Sequence, residues 1–105
     1  MYRVKLTATA AEMFNNLHPD IKKQLKITLK ELYKTPHLGK SLQNELIDLR
    51  SLKMKRYRAI YQIDDHNQTI IIYAIGNRKD IYEVITELVR NYKLATSLFK
   101  PPIRV

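Results

Sequence analysis

Residues 69–75 form an almost continuous apolar run, Thr-Ile-Ile-Ile-Tyr-Ala-Ile, which constrains the fold more than any other part of the 105-residue chain. A strand with one face in water alternates polar and apolar residues, whereas an uninterrupted run is typical of a strand covered on both faces. We therefore predict that residues 69–75 form a central strand of a sheet, with the other elements arranged around it.

Three further segments have the pattern of strands. Residues 2–6 alternate in character, as a half-buried strand does. Residues 57–64 do the same, and Tyr57, Ala59, Tyr61 and Ile63 would share one face of the sheet. Another strand is predicted at about residues 46–54. The gaps between the last three strands are short enough for antiparallel hairpins.

The helices are predicted from caps and apolar stripes. Thr9-Ala10-Ala11-Glu12 matches a capping box, which predicts a short first helix. Pro19 suits the first turn of a second helix, predicted at residues 19–34 with one apolar stripe facing the core. The tight joint at Pro19 favours an antiparallel helical hairpin. A last helix is predicted at about residues 82–93.

The order β-α-α-β-β-β-α lacks the alternation of a parallel sheet and predicts an α+β fold. We expect an N-terminal strand, a helical hairpin, a three-stranded antiparallel meander and a C-terminal helix. The helices should cover one face of the sheet and leave the other face more open. The length and an apolar content of 45% suit one core, so we expect a single domain at residues 1–93 and a tail at residues 94–105.

The composition argues against a membrane or secreted protein. No apolar run approaches the ~20 residues that span a bilayer, and no apolar segment typical of a signal peptide follows Arg3 and Lys5. The chain has no cysteine, which excludes disulfides and thiolate metal sites and fits a reducing compartment. The sequence therefore predicts a cytoplasmic protein with no membrane partner.

Basic residues crowd the stretch that leads into the strand at residues 57–64. Five of the nine residues from Arg50 to Arg58 are basic and none is acidic. Neighbouring cations on a sheet repel each other, so such a stretch indicates that an anion binds there. With a net charge of +9, nucleic acid is the polyanion that fits best. An acidic protein partner, or no specific partner, remains an alternative.

The sequence excludes several kinds of catalytic site. The three histidines have no partners at metal-site spacing, and a chain with two glycines, Gly39 and Gly76, has no P-loop. We therefore expect no metal and no other cofactor. Arginine, lysine and tyrosine remain as the side chains that could support catalysis.

RNA can be cleaved without metal or histidine when its 2′-hydroxyl attacks the adjacent phosphate. Fixed guanidinium groups stabilise the charge that builds on the phosphoryl oxygens. Because arginine stays protonated, a lysine or tyrosine has to carry the proton, and dense positive charge lowers the pKa of both kinds of side chain. The candidates for these roles are Lys53, Lys55, Arg56, Arg58, Arg78 and Tyr82.

Two motifs resemble the signature of the RelE/ParE toxin superfamily. The first is Tyr57-Arg58-Ala59-Ile60-Tyr61 within the basic strand, and the second is Gly76-Asn77-Arg78 followed by Tyr82. The order of elements is similar too, and the resemblance covers about residues 2–90. The family glycine before Tyr-Arg is replaced here by Lys55-Arg56, so the hairpin at this point is expected to differ.

The resemblance implies the toxin of a type II toxin–antitoxin pair, neutralised by an acidic or partly disordered antitoxin. RelE-like members cleave mRNA on the ribosome and leave a cyclic phosphate end. ParE-like members inhibit DNA gyrase and lack the nuclease residues. A third role is binding of promoter DNA, which is expected only in complex with the antitoxin.

The resemblance also implies roles for individual residues. Arg58 and Arg78 would hold the scissile phosphate, and Tyr82 would stack on a base or transfer a proton. Lys53 and Lys55 complete the predicted catalytic set, and RNA contacts are predicted for Arg50, Arg56 and Lys79.

Each of these residues also has a purely structural interpretation. Arg58 could pair with Asp48 or Asp64 across the sheet, Arg78 could be solvated, and Tyr82 could pack its ring. Tyr57 and Tyr61 lie on the face patterned for the core, so we expect them to be core residues.

Overall fold

The structure, a computed structural model, describes residues 2–42, 48–81, 83–87 and 90. Its strands and helices are β1 (Arg3–Leu6), α1 (Ala8–Asn15), α2 (Pro19–Lys30), β2 (Lys40–Ser41), β3 (Arg50–Met54), β4 (Tyr57–Asp64) and β5 (Thr69–Asn77). Residues 78–81 and 83–87 are helical and are called the C-terminal helical segment below. Tyr82, the predicted end of the last helix at residue 93 and the predicted tail at residues 94–105 lie outside the described residues.

The five strands form one sheet in the order β1-β5-β4-β3-β2. β5 lies between β1, with which it pairs in parallel, and β4, with which it pairs antiparallel. The prediction of an α+β fold with a central strand in the apolar run is therefore confirmed. The two-residue strand β2 was not predicted, because it has no length over which a pattern could repeat.

Apolar side chains from both faces of the sheet are buried. On one face Leu25, Leu29 and Leu32 pack with Tyr61 and Ile72, so the helical hairpin covers this face. On the other face Ile60 and Ala74 pack with Ile81 and Ile85 of the C-terminal helical segment. The expectation that all helices share one face is therefore wrong, since the apolar residues on the second face also require cover.

Helix α1 begins two residues earlier than predicted. Thr7, not Thr9, is the N-cap, and its hydroxyl accepts a hydrogen bond from the amide of Ala10 at 3.1 Å. The amide of Thr7 donates to the carbonyl of Ile72 at 3.0 Å. This bond to β5 holds Thr7 in the extended conformation that an N-cap requires, which explains why Thr7 and not Thr9 takes the role.

Helix α2 is shorter than predicted. It ends at Lys30, and the chain continues as two short 3-10 helices, Glu31–Tyr33 and Pro36–Leu38. None of the described helices is long and apolar enough to cross a bilayer.

The buried phenol of Tyr61 holds the chain that leads into β2. Its hydroxyl donates to the carbonyl of Pro36 at 2.7 Å and accepts from the amide of Gly39 at 2.8 Å. A Cβ atom on Gly39 would lie 2.6 Å from that hydroxyl and 2.9 Å from the carbonyl oxygen of Ser51. Only glycine allows so close an approach, which fixes the residue at position 39.

Candidate nucleic-acid interface

Three residues lie side by side across the strands at one end of the sheet. Lys53 of β3 lies opposite Arg58 of β4, and Arg58 lies opposite Gly76 of β5. Residues that are directly opposite share a face of the sheet. Lys53 and Arg58 therefore share the face that carries Ile60 and Ala74. Gly76 is buried, and a Cβ atom on it would lie 3.3 Å from the Met13 side chain.

The hairpin between β3 and β4 brings further cations to the same end. Lys55 and Arg56 form its two-residue turn, between the paired residues Met54 and Tyr57. Lys55 adopts a φ of 57°, in the region that favours glycine. The carbonyl of Arg56 accepts a hydrogen bond from the amide of Arg78 at 2.9 Å. The backbone of the turn is thus joined to the chain at the end of β5.

Asn77 positions the next two cations. Its side-chain oxygen accepts a hydrogen bond from the amide of Asp80 at 2.9 Å, and its side-chain nitrogen donates to the Asp80 carboxylate at 3.1 Å. This is an N-terminal cap, so Arg78 and Lys79 lie in the first turn of the C-terminal helical segment. Asn77 was not among the predicted site residues, although an asparagine three residues before an acidic residue is a recognisable cap signal.

The guanidinium of Arg58 is half-buried and turned toward the hairpin. Its Nη1 donates to the carbonyl of Tyr57 at 3.1 Å and to the carbonyl of Lys55 at 3.3 Å. The alternative of a salt bridge is not observed, because neither Asp48 nor Asp64 pairs with it in the described part of the chain. Asp64 instead accepts hydrogen bonds from Asn67, which hold the pKa of its carboxyl below the ordinary value.

We call these six residues the cationic surface: Lys53, Lys55, Arg56, Arg58, Arg78 and Lys79. All except Arg58 are exposed. The ion pairs among the described residues, His18–Asp20 and Glu87–Arg90, involve none of them. Their charge is therefore not neutralised by a described carboxylate, and the positive end of the helix adjoining Arg78 adds to it. Such a surface can bind the phosphates of a nucleic acid.

Arg50, a residue of the predicted site, is not part of this surface. Arg50 lies opposite Tyr61 on the face covered by the helical hairpin, and its guanidinium donates to the carbonyls of Gly39 at 3.0 Å and His37 at 3.3 Å. The structure thus places Arg50 apart from the other cations. Tyr82 lies outside the described residues. Tyr61 belongs to the core cluster and the half-buried Tyr57 packs against it, as predicted.

Comparison with known proteins shows the family of the chain. The family described as ParE toxin of type II toxin–antitoxin system, parDE, matches residues 4–82. The chain is 34% identical to toxin RelG of Mycobacterium tuberculosis over 83 residues, which cover 77% of this chain and 95% of RelG. It is 35% identical to toxin RelE of the same organism over 85 residues, which cover 79% of this chain and 88% of that toxin.

Solved structures agree with this assignment. The toxin–antitoxin complex RelBE2 of M. tuberculosis contains a chain that matches with a TM-score of 0.67 and 32% identity, over 73% of this chain and 98% of that one. A mutant of Escherichia coli toxin RelE in the free state has the same fold, with a TM-score of 0.72 at 24% identity over 86% of this chain and 96% of that one. The chain therefore belongs to the RelE/ParE superfamily and is a toxin of a type II toxin–antitoxin system.

Proposed function

We propose that this toxin is a metal-independent endoribonuclease that cleaves mRNA on the ribosome. The observation that supports the proposal is the cationic surface, where Lys53, Arg58 and Arg78 converge at one end of the sheet without a described carboxylate partner. The similarity to toxins named RelE and RelG adds support, since RelE-like members of the superfamily cleave mRNA.

The proposed reaction is an internal transesterification. The 2′-oxygen of the ribose forms a bond to the adjacent phosphorus while the bond from phosphorus to the 5′-oxygen breaks. The products are a 2′,3′-cyclic phosphate and a free 5′-hydroxyl. One proton leaves the 2′-hydroxyl and one is added to the 5′-oxygen, so no water or redox partner is consumed. The protein has to stabilise the dianionic phosphorane and handle two protons.

The cationic surface suits the first of these tasks. Arg58 and Arg78 would donate N–H groups to the phosphoryl oxygens as charge develops on them. The bonds of Arg58 Nη1 to the carbonyls of Lys55 and Tyr57 would keep its guanidinium oriented, and preorganised donors stabilise a transition state more than mobile ones. Arg56 and Lys79 would contact neighbouring phosphates of the RNA.

Proton transfer would fall to the remaining groups. Lys53 lies directly opposite Arg58, which supports a role for its amine at the same phosphate, and Lys55 lies in the adjoining turn. The resemblance to the family gives Tyr82 a role in stacking or proton transfer. Arg50 is assigned no contact with RNA in this proposal, because its guanidinium is bound to backbone carbonyls on the opposite face.

The variant Arg78→Ala tests the proposal. Loss of one well-placed donor to a developing oxyanion costs roughly 10²-fold or more in rate. We expect that loss in a translation extract in which cleavage of a reporter mRNA is followed by primer extension. The matched control is Lys23→Ala, which removes a cation from the exposed face of α2. If Arg78→Ala cleaves mRNA as fast as the unaltered toxin, the proposed role of Arg78 is wrong.

Inhibition of DNA gyrase is the second candidate function, and the match to the ParE toxin family favours it. A gyrase inhibitor would arrest growth with intact mRNA and a DNA-damage response, and purified gyrase would lose supercoiling activity in its presence. A ribonuclease would leave gyrase active and shorten mRNA. The same toxin preparation can be measured in both assays, so the two functions are distinguished directly.

The partner that the family membership implies is an antitoxin. The solved relatives include complexes of RelE toxins with RelB antitoxins. We propose that an acidic or partly disordered antitoxin neutralises this toxin, because a chain of net charge +9 attracts an acidic one. Binding to promoter DNA is proposed only for the complex of the two proteins.

A further inference from the structure

The chain at the end of β5 places one acidic residue beside the cations of the proposed site. Asp80 follows Arg78 and Lys79 directly in the sequence, and all three side chains are exposed. A carboxylate this close to a guanidinium can form an ion pair with it. Among the described residues, however, neither Arg78 nor Lys79 forms an ion pair with Asp80. The structure therefore keeps apart opposite charges that the sequence places together.

The carboxylate of Asp80 is bound by a neutral group instead. The side-chain nitrogen of Asn77 donates to it at 3.1 Å, and the side-chain oxygen of Asn77 accepts from the amide of Asp80 at 2.9 Å. The bond to the amide caps the C-terminal helical segment, and the bond to the carboxylate fixes where the negative charge lies. One side chain thus holds both the backbone and the charged group of Asp80.

The helical backbone at residues 78–80 explains the separation of the charges. Successive residues of a helix are rotated by about 100°, so side chains two positions apart point in nearly opposite directions. Arg78 and Asp80 stand in this relation in the first turn of the segment. As long as the turn is helical, the carboxylate is directed away from the guanidinium.

An extended backbone at the same residues would bring the charges together, because side chains two positions apart share a face of a strand. Gly76 lies opposite Arg58, so residues 78 and 80 of a longer β5 would share the face of Arg58. The carboxylate of Asp80 would then lie on the same face as the two guanidiniums that the proposed reaction uses. An ion pair there would occupy the donors that stabilise the phosphoryl oxygens.

The first turn depends on its cap more than the rest of the segment does. Ile81 is buried and packs with Ile60 and Ala74, which holds the segment to the sheet from residue 81 onward. Residues 78–80 are exposed and have no comparable packing. Since the first amides of a helix have no partner within it, the bonds from Asn77 are what favours helical backbone over an unwound turn at these residues.

We propose that Asn77 is a positioning residue of the toxin, which holds residues 78–80 in a helical turn and so keeps the Asp80 carboxylate from pairing with the arginines of the site. The inference rests on the proposed ribonuclease function and adds to it a residue that contacts neither the RNA nor the reacting atoms. Asn77 lies opposite Tyr57, on the other face of the sheet from Arg58. Its effect on cleavage therefore passes through Arg78 and Asp80.

A cap with a purely structural role would make Asp80 favourable to the site. A carboxylate in the first turn stabilises a helix, because it lies near the positive end. Neutralising Asp80 would then loosen the turn further and slow cleavage, with or without the cap. If Asn77 is a positioning residue, the same neutralisation removes the competing charge once the cap is lost, and cleavage recovers. The two interpretations predict effects of opposite sign for one substitution.

A double-mutant cycle measures this sign in a translation extract, with cleavage of a reporter mRNA followed by primer extension. Asn77→Ala should slow cleavage at least about threefold, because loss of a cap shifts the equilibrium of a first turn by about fivefold. Adding Asp80→Asn, which removes the charge and keeps the shape, should restore most of the lost rate. A further loss of rate in the double variant would overturn the inference.

Two other substitutions serve as controls for the cycle. Glu83→Gln neutralises another exposed carboxylate of the same segment, and in the Asn77→Ala background it should restore none of the rate. Equal recovery with Glu83→Gln and Asp80→Asn would show that total charge, and not Asp80, opposes cleavage. Asn77→Ser keeps a cap oxygen and should cleave faster than Asn77→Ala. A rate as low as that of Asn77→Ala would contradict the role of the cap.

NMR measures the backbone of the first turn without reference to activity. In the full-length toxin, the three-bond coupling constants of the amide protons at residues 78–80 should have helical values. They should move toward extended values in Asn77→Ala and stay helical in Asn77→Ser. Helical values in Asn77→Ala would overturn the inference even if that variant cleaves slowly.

Failure of this inference can be told apart from failure of the proposed function. If the unaltered toxin leaves mRNA intact while the coupling constants follow the cap, the ribonuclease proposal is wrong, and Asn77 has no role in cleavage. If the unaltered toxin cleaves mRNA and Asp80→Asn does not restore the rate of Asn77→Ala, the ribonuclease proposal stands and the positioning role is wrong.

Discussion

Tyr61 shows how one side chain can determine the structure of a loop. Its hydroxyl donates to the carbonyl of Pro36 and accepts from the amide of Gly39. The nearby guanidinium of Arg50 donates to the carbonyls of Gly39 and His37. Together they satisfy backbone groups that would otherwise be unpaired next to the core. The chain between α2 and β2 is therefore ordered by two side chains from β3 and β4.

The variant Tyr61→Phe should lower the free energy of unfolding by about 1–3 kcal/mol, because it leaves buried backbone groups without a partner. Urea denaturation would measure the change. Tyr57→Phe, which alters the same chemical group on the same strand at a half-buried position, should have a much smaller effect. Equal losses in the two variants would contradict the role assigned to the Tyr61 hydroxyl.

Tyr61 also makes stability depend on pH. Burial raises the pKa of its phenol above the ordinary value of 10.0, an effect partly opposed by the Gly39 amide and by Arg50. The folded state then favours the neutral phenol, so its contribution is complete below pH 10 and is lost as pH rises through the ordinary pKa toward the raised one. The free energy of unfolding should therefore fall as the pH rises above the ordinary tyrosine pKa, and it should fall less in Tyr61→Phe.

Lys55 is a charged residue in a conformation that favours glycine. A left-handed φ costs an L-residue about 1 kcal/mol or more, and replacement by glycine removes this strain. Part of the resulting gain in stability is offset because glycine has greater conformational freedom in the unfolded chain. Lys55→Gly should therefore raise the free energy of unfolding by up to about 1 kcal/mol while it weakens RNA binding. Arg56→Gly is the control, since Arg56 has no positive φ and its replacement should only destabilise. Thermal denaturation of both variants would decide.

Arg50 shows that basic residues close together in sequence can lie on opposite faces of a sheet. The sequence places it in the same stretch as Lys53 and Arg58, but the alternation of a strand turns residue 50 and residue 53 to opposite faces. That much follows from periodicity alone. Its bonds to the carbonyls of His37 and Gly39 could not be predicted, because they depend on how a loop of the preceding segment folds back.

At the level of elements, helix α1 depends on its cap. The Thr7 hydroxyl accepts from the Ala10 amide, so Thr7→Ala should cost about 1 kcal/mol of stability. Thr9→Ala should be neutral or slightly stabilising, because Thr9 lies within the helix and alanine is the better helix former. Chemical denaturation of the two variants tests the correction to the predicted cap. A larger loss of stability in Thr9→Ala than in Thr7→Ala would show that Thr9, and not Thr7, caps the helix.

The elements were predictable where the pattern repeats. β1, β4, β5 and the helical hairpin were recovered from alternation, apolar runs and the stripe of α2. The parallel pairing of β1 with β5 was not predicted, because register between segments more than sixty residues apart leaves no local signal. The cationic surface was predicted as a set of residue types, and only the structure shows that the bond between Arg56 and Arg78 joins its two parts.

At the level of the whole molecule, the net charge of +9 makes the ionic strength a diagnostic variable. Binding of single-stranded RNA should weaken linearly on a double-logarithmic plot, with a slope of about −0.7 for each phosphate contacted. The double variant Lys53→Gln with Lys55→Gln should flatten the slope by about 1.4. Removing two cations from α2, with Lys22→Gln and Lys23→Gln, should leave it unchanged. Equal slopes in both variants would show that total charge, and not the cationic surface, binds RNA.

The place of β5 in the sheet also determines how late in translation the complete sheet can form. β5 is synthesised last among the described strands, yet it joins β1 to the β3–β4 hairpin, so a nascent chain that stops before residue 69 has no sheet that includes its N-terminal strand. Arg78 and Lys79 emerge later still. The cationic surface is therefore assembled only after nearly all of the described residues have been synthesised.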